Sequence, residues 1–205
     1  MRVRLLTVAA LAGVSLAAVP GNAAPAPKPQ IIDPAGDANG VNDQDAGLPV
    51  PSQSTPADIS AADITSVTFA TTFKKEKVDG KVVSKPSGFT VTMTLSAAPT
   101  TPEIFYRVVA ATADCNQVFF EYGTDVVAGG SAVRCPGTVP TKDKTYSDAP
   151  AVIKGSSITW ALPLSAFPVG TKFSALSAQT RLNPAIITAP QLDGATASAT
   201  YTVGK

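Results

Sequence analysis

The residues best suited to chemistry lie near the N-terminus. The run Asp33-Pro-Ala-Gly-Asp37-Ala-Asn39-Gly40-Val-Asn42-Asp43-Gln-Asp45 holds six Asp or Asn among thirteen positions, and Asp58 and Asp63 follow it. Clustered carboxylates and amides supply the oxygen ligands that a hard cation such as calcium prefers. The glycines let the backbone turn tightly and present its carbonyls. The spacing is not that of an EF-hand, because the sixth position counted from Asp33 is Ala38 rather than Gly and the twelfth is Gln44 rather than Glu. A solvated loop built from Asx-turns draws on the same residues, so composition leaves both readings open.

Other chemistries are excluded or weakly supplied. The chain has no His, which rules out Ser-His-Asp and Cys-His catalysis and zinc sites built on imidazole. Neither Ser-x-x-Lys nor Gly-x-Ser-x-Gly occurs. Acid–base work would fall to carboxylates, and the only Glu residues are Glu76, Glu103 and Glu121. A His-independent glycoside hydrolase needs two carboxyls facing each other across a cleft. Glu121, in a strand beside Tyr122, is the candidate for that less favoured reading, and the chain is expected not to be an enzyme. Sixteen Lys and Arg against fifteen Asp and Glu leave no basic field for nucleic acid. Lys74-Lys75-Glu76-Lys77 is diluted by Glu76 and Asp79 and reads as a solvated hairpin. Arg134 and Arg181 read as surface charges, and no Asn-x-Ser/Thr sequon is present.

Residues 1–24 have the three parts of a secretion signal. Arg2 and Arg4 form a positive start, Leu5 to Val19 is an apolar run shorter than an ordinary span, and Pro20-Gly21-Asn22-Ala23-Ala24 is small and turn-prone. The alternative, a retained anchor, lacks stop-transfer charges. The expected product is secreted or held in the cell envelope, with no membrane insertion after signal removal. Losing Arg2 and Arg4 leaves fourteen basic and fifteen acidic residues, a net charge of −1 on about 180 residues. That length fits one domain with a sizeable core. Residues 25–30 form a Pro-rich tether and 31–205 the domain, with 31–62 as its acidic N-terminal loop. In an oxidising compartment, Cys115 and Cys135, the only cysteines, are expected to pair as a disulfide rather than act as a redox couple, for which they lack Cys-x-x-Cys spacing. The Ala-rich signal and composition are associated with bacteria of high GC content.

These elements must be positioned by strands. Phe89, Val91, Met93 and Leu95 alternate strictly with Thr90, Thr92 and Thr94, the period of a half-buried strand. Asp63–Phe73, Ile104–Ala110, Gln117–Tyr122, Ser157–Leu162, Lys172–Thr180 and Ala197–Val203 read as further strands, with Asp114-Cys115-Asn116 as turn chemistry and one helical turn at Ser165–Phe167. No window has a helical stripe. Breakers at Asp79-Gly80, Gly129-Gly130, Pro136-Gly137, Gly155, Pro168 to Gly170, Asn183-Pro184 and Asp193-Gly194 mark strand ends. Short alternating strands at this spacing predict an all-β, antiparallel β-sandwich, of DOMON-like or immunoglobulin-like jelly-roll type.

Asp33-Pro-Ala-Gly-Asp37, then Asp63-Ile64-Thr-Ser-Val67 opening a strand, resembles the entry to DOMON-like β-sandwich domains. These include family 9 carbohydrate-binding modules and the C-terminal module of glucodextranases. Ile158-Thr-Trp-Ala-Leu-Pro-Leu164 before a turn ending at Phe167, and Asp193 with Tyr201-Thr-Val-Gly204, are further similar points. The resemblance covers residues 31–204. It implies a structural calcium ion at Asp33, Asp37 and Asp63, with Asn39, Asp43, Asp45 and Asp58 as additional candidates. Haem is not expected, since the family's haem binders use His and Met and this chain has no His. Sugar-binding members stack ligands on aromatic rings. Phe119, Tyr122 and Trp160 are the candidate ligand-facing aromatics here, although core packing is the stronger reading of Trp160. Of adjacent Phe119 and Phe120, one must face the core and the other not. The expectation is an exported, non-catalytic binding or accessory module, probed first with glycans or cell-envelope components. The alternative is a cell-surface structural or protein-interaction domain.

Overall fold

In the computed structural model, the described residues are 26–38, 56–99, 104–123, 130–137, 144–147, 151–182 and 191–205, apart from the side chains of 56–58 and 182. The proposed signal, residues 1–24, lies outside them. Twelve strands and one short helix make up these residues: β1 (Ile31–Ile32), α1 (Pro56–Ala62), β2 (Ile64–Val78), β3 (Lys81–Leu95), β4 (Ile104–Thr112), β5 (Cys115–Tyr122), β6 (Ser131–Cys135), β7 (Lys144–Ser147), β8 (Val152–Lys154), β9 (Ser157–Leu162), β10 (Lys172–Leu182), β11 (Gln191–Ala197) and β12 (Tyr201–Thr202). One sheet runs β1-β2-β3-β9-β8. The other runs β11-β10-β4-β5-β6-β7, with β12 also on β10. All pairings are antiparallel. The fold is an all-β sandwich.

The alternation read from the sequence decides which face is inside. Phe89, Val91, Met93 and Leu95 of β3 are buried, and Ile158, Trp160 and Leu162 of β9 lie beside them on the same sheet. Ile104, Tyr106, Val108 and Ala110 of β4 and Val118 and Phe120 of β5 face them from the second sheet. Phe69, Phe89, Phe120, Phe167 and Phe173 meet at the centre, with Phe89 stacked on Phe173 at 5.2 Å. Such rings bury large apolar areas and dominate core energetics.

The breakers behave unevenly. Asp79 and Gly80 take φ values of 49° and 77°, the two positive values a type I′ hairpin turn requires. Beyond Phe73, β2 and β3 pair only with each other among the described residues, so this charged hairpin projects as a two-stranded ribbon. Ser165–Phe167 is a bonded turn, with Ala166 N–H donating to Pro163 O at 3.0 Å. Asn183-Pro184 and Gly129 lie outside the described residues.

Four expectations need correction. Asp193-Gly194 is no turn but lies inside β11, where Gly194 pairs with Gln179. A Cβ at 194 would collide with Nε2 of Gln191, which folds over the bare backbone. The strand expected at Ala197–Val203 is instead the end of β11 followed by β12. The turn between β4 and β5 is Ala113-Asp114, and Cys115 opens β5. Finally, residues 31–62 are not all loop, since they contain α1. That helix is too short to show a periodic stripe, and its local signals are Pro56 at the first helical position and the Thr55-x-x-Asp58 spacing of a capping box. Packing stabilises it: Ala61 and Ala62 are fully buried. Tyr106 Oη donates to Ala61 O at 3.1 Å and Thr180 Oγ1 to Ala62 O at 2.8 Å. These bonds satisfy carbonyls that a helix end leaves open.

Cys115 and Cys135 form a disulfide across 20 residues, joining the start of β5 to the end of β6. A formed disulfide belongs to an oxidising environment. Among the described residues, no helix is long and apolar enough to cross a membrane.

Candidate functional site

The acidic site is assembled at the end of the sandwich where β2 begins. Ala26–Pro29 are exposed, whereas Gln30 already docks on β2: its N–H donates to Val67 O at 2.9 Å, and its Oε1 accepts from Phe69 N–H at 2.6 Å. β1 then pairs with Ser66 and Val67, and Asp33 N–H donates to Thr65 O at 3.0 Å. The chain turns at Gly36, whose φ of 90° suits glycine. Asp63, placed by the end of α1, captures this turn: its Oδ2 accepts from Gly36 N–H at 2.7 Å and from Ser96 Oγ.

Asp193 arrives from the other sheet. Its Oδ2 accepts from Ile64 N–H at 2.6 Å and its Oδ1 from Gly194 N–H at 2.7 Å. One carboxylate oxygen each from Asp33, Asp37 and Asp193 lies within 4.8 Å of the others. Two buried carboxylate oxygens at this site, Asp33 Oδ2 and Asp63 Oδ1, have no hydrogen-bond partner. Among the described residues, no Lys or Arg forms an ion pair with any of the four aspartates.

The electrostatics follow from this crowding. Burial, followed by repulsion from Asp193, Asp37 and Asp63, pushes the Asp33 carboxyl from 3.8 to about 6. Burial also raises Asp193, against the lowering effect of the Ile64 and Gly194 amides, while Asp37 and Asp63 push it further up. Carboxylates gathered without a counter-charge, with oxygens left unpartnered, are a donor set suited to a hard divalent cation.

The converging triad is therefore Asp33, Asp37 and Asp193, with Asp63 positioning the loop and holding one unpartnered oxygen nearby. Sequence reasoning missed Asp193 as a member of this cluster because Asp-Gly reads as a turn. Of the additional candidates, Asn39, Asp43 and Asp45 lie outside the described residues. Asp58 falls in α1, with its side chain likewise outside them.

The candidate aromatics separate by face. Trp160 is 1% exposed and its Nε1 donates to Glu121 O at 3.0 Å, so it is core and faces no ligand. Tyr122 is also on the core side of β5, its ring 6.0 Å from that of Tyr106. Phe120 is fully buried, and Phe119 is on the outer face. Arg181 lies within β10 rather than after it. Arg134 is not a simple surface charge, because it pairs with Glu121. Glu121 itself, 1% exposed, is held by Arg107 and Arg134. Glu76 sits on the projecting hairpin between Lys74 and Lys85, and Glu103 lies outside the described residues. A hollow of about 680 Å³ beside Phe167 is lined by Lys144, Lys172, Asp114 and Tyr146. There Lys144 Nζ rests 4.6 Å from the Tyr146 ring centre. Comparison with known protein families, curated proteins and solved structures finds no match.

Proposed function

We propose that the protein is an exported, non-catalytic binding or accessory module whose N-terminal segment is held on the sandwich by a calcium ion. The observation that carries this reading is the convergence of Asp33, Asp37 and Asp193 within 4.8 Å, beside two buried carboxylate oxygens without partners. An unpartnered buried carboxylate is costly, and a divalent cation both neutralises it and fills its lone pairs. The ion's role is structural. Asp33 and Asp37 belong to a segment whose only strand is two residues long, Asp193 belongs to the opposite sheet, and one cation would join the two. The DOMON-like resemblance supports the same reading, with Asp193 added to the positions it implies. Export is supported by the signal-like N-terminus and the disulfide. A glycan or cell-envelope component is the ligand class to test first.

Two observations count against catalysis. The three carboxylate oxygens lie closer together than the acid–base pair of an inverting glycosidase, about 6.5–9.5 Å apart. Glu121 has both oxygens committed to arginines. The protein-interaction alternative is favoured by β11, a seven-residue edge of the second sheet, whereas the other sheet edges, β1, β8 and β7, are two to four residues long and offer little to a partner strand.

Thermal unfolding in calcium and in EDTA tests the reading. A ligand that binds only the native state stabilises by about 2.7 kcal/mol at a hundredfold excess over Kd. The expected result is a Tm several degrees higher in calcium, with the difference lost in Asp37→Asn. Identical melting in both buffers would overturn the calcium pin.

A further inference from the structure

The projecting β2–β3 arm carries its charge unevenly. Residues 74–85 hold five Lys against Glu76 and Asp79, a net of +3. Residues opposite one another in a ladder share a face, and faces alternate along each strand. The register therefore sets Lys74, Lys85, Glu76 and Val83 on one side of the ribbon. Phe73, Lys75, Lys77, Val82, Ser84 and Pro86 fall on the other. On the first side Glu76 pairs with Lys74 at 2.8 Å and with Lys85 at 3.1 Å. The dilution of charge that the sequence suggests is thus confined to that side. The second side has no acidic residue, and its Lys75 and Lys77 make no ion pair among the described residues.

The same side is apolar as well as basic. Phe73 and Val82 are each half exposed or more. At the foot of the arm, Gly204 N–H donates to Thr71 Oγ1 at 2.7 Å, and Val169, also more than half exposed, lies against Gly204. The acidic cluster is remote from all of these. β2 has 15 residues, so at ~3.3 Å per residue about 45 Å separates the cluster at its start from the tip of the arm. That is several Debye lengths at physiological salt, and those aspartates do not oppose an anion at the arm.

We propose that this side of the arm docks the protein on an anionic lipid bilayer, with Lys75 and Lys77 against the headgroup phosphates and Phe73 and Val82 in the boundary with the acyl chains. The proposal names a cell-envelope partner for the binding module and rests on that reading. Basic and apolar side chains interleaved on one face suit a charged interface, which offers an anion to one and hydrocarbon to the other. A soluble polyanion would engage the lysines and leave Phe73 and Val82 in water. A second copy laid on this side would crowd four lysines together with no carboxylate among them. Lysines along the free edges of the ribbon discourage an added strand. A two-stranded ribbon is marginal in water, and a bilayer covers the side that the sandwich leaves bare.

Sedimentation with vesicles of phosphatidylcholine, with and without phosphatidylglycerol, tests the proposal on the protein freed of residues 1–24, whose apolar run would itself seek lipid. In EDTA, which removes calcium bridges to lipid, and below the melting temperature, binding is expected only to the vesicles containing phosphatidylglycerol and to weaken as salt is added. Lys75→Gln with Lys77→Gln is expected to lose about 25-fold in partitioning, about fivefold per lysine. Lys28→Gln with Lys154→Gln, an equal change of charge away from the arm, is expected to bind as the parent does. Phe73→Ser with Val82→Ser should weaken binding severalfold. Hydrogen exchange needs no variant: on the vesicles, amides of 74–84 are expected to slow while those of 89–95 stay as in solution. Binding to neither vesicle, equal binding to both, equal losses in the two lysine pairs, or unchanged exchange in the arm overturns the site. A serine variant that binds as the parent does, with heparin displacing the vesicles, marks a polyanion site and overturns the bilayer. Dimerisation lost in the serine variant would assign this side to a second copy and likewise overturn it. Calcium-dependent melting reads the pin separately. If it persists while the vesicles are ignored, only the partner of the arm is lost; if it is absent while the vesicles bind, the calcium pin is lost instead.

Discussion

Asp193 accepts a hydrogen bond from the Ile64 amide at 2.6 Å across 129 residues of sequence. It ties β11 of one sheet to the first residue of β2 in the other. Its carboxylate therefore serves two purposes, closing a buried amide and completing the acidic cluster.

The two purposes separate by substitution. Asp193→Asn keeps an oxygen for the Ile64 amide while removing a negative charge. In EDTA the loss of the Gly194 bond and the relief of repulsion with Asp33 oppose each other, so its melting temperature is expected to change little, and its response to calcium should disappear. Asp193→Ala strands a buried amide and is expected to lose about 1–3 kcal/mol in either buffer. Denaturant melts of both variants with and without calcium decide the matter; an undiminished calcium response in Asp193→Asn would remove Asp193 from the ligand set.

Stability should depend on pH in opposite senses with and without the ion. The folded chain holds the Asp33 proton up to about pH 6, against an ordinary value of 3.8. In this interval the native state binds more protons than the unfolded state, so in EDTA the contribution of Asp33 to stability falls as pH rises from about 3.8 to about 6 and stays low above that. Asp193, raised for the same leading reason, acts in the same direction. Calcium requires the carboxylates ionised, so its stabilisation should be small below about pH 5 and grow above about pH 6. Tm measured against pH in both buffers checks this. A calcium effect that is flat across the range would count against Asp33 as a ligand.

The single Trp makes the burial of residue 160 measurable. Its emission is expected to be blue-shifted, weakly quenched by acrylamide and unmoved by added glycan. Trp160→Phe loses the bond to Glu121 O and leaves a void, with an expected cost of about 1–3 kcal/mol. A red-shifted, readily quenched Trp would contradict its place in the core.

Reducing the Cys115–Cys135 bond frees a loop of 20 residues. The double Cys→Ala variant is expected to lose about 3 kcal/mol in chemical denaturation. Because the bond lies at the ends of β5 and β6, away from Asp33 and Asp193, the calcium response of the variant should survive.

The β2–β3 hairpin should open independently of the sandwich. From Phe73 to Pro86 the two strands pair only with each other among the described residues, and Phe73 and Val82 are exposed. A ribbon with no third strand or packed face is marginal in water. Amides of residues 74–84 are expected to exchange with solvent much faster than those of 89–95, and Gly80→Ala, strained at a φ of 77°, should speed the former without shifting global Tm. Uniform protection along β3 would show that the arm is covered.

Much of the architecture is legible in the sequence itself. Strict alternation at Phe89, Val91, Met93 and Leu95 decides an inner face, because successive side chains in a strand point to opposite sides. The Asp-Gly pair at 79–80 decides a hairpin, because few residues tolerate positive φ. The cysteine pair and the acidic run at 33–45 were equally plain. All of these are local properties of the chain.

The sites themselves are not local. Asp193 joins Asp33 and Asp37 only through the register that sets Thr180 opposite Asp193 and through the packing of β11 over the start of β2. Arg107, Glu121 and Arg134 become neighbours only because β4, β5 and β6 pair in one particular alignment. The α1 helix is held by two hydroxyls from the opposite sheet, not by its own seven residues. Periodicity along a chain determines which way each side chain points; which side chains meet is decided by strand order and register, and those depend on contacts between residues tens to more than a hundred positions apart.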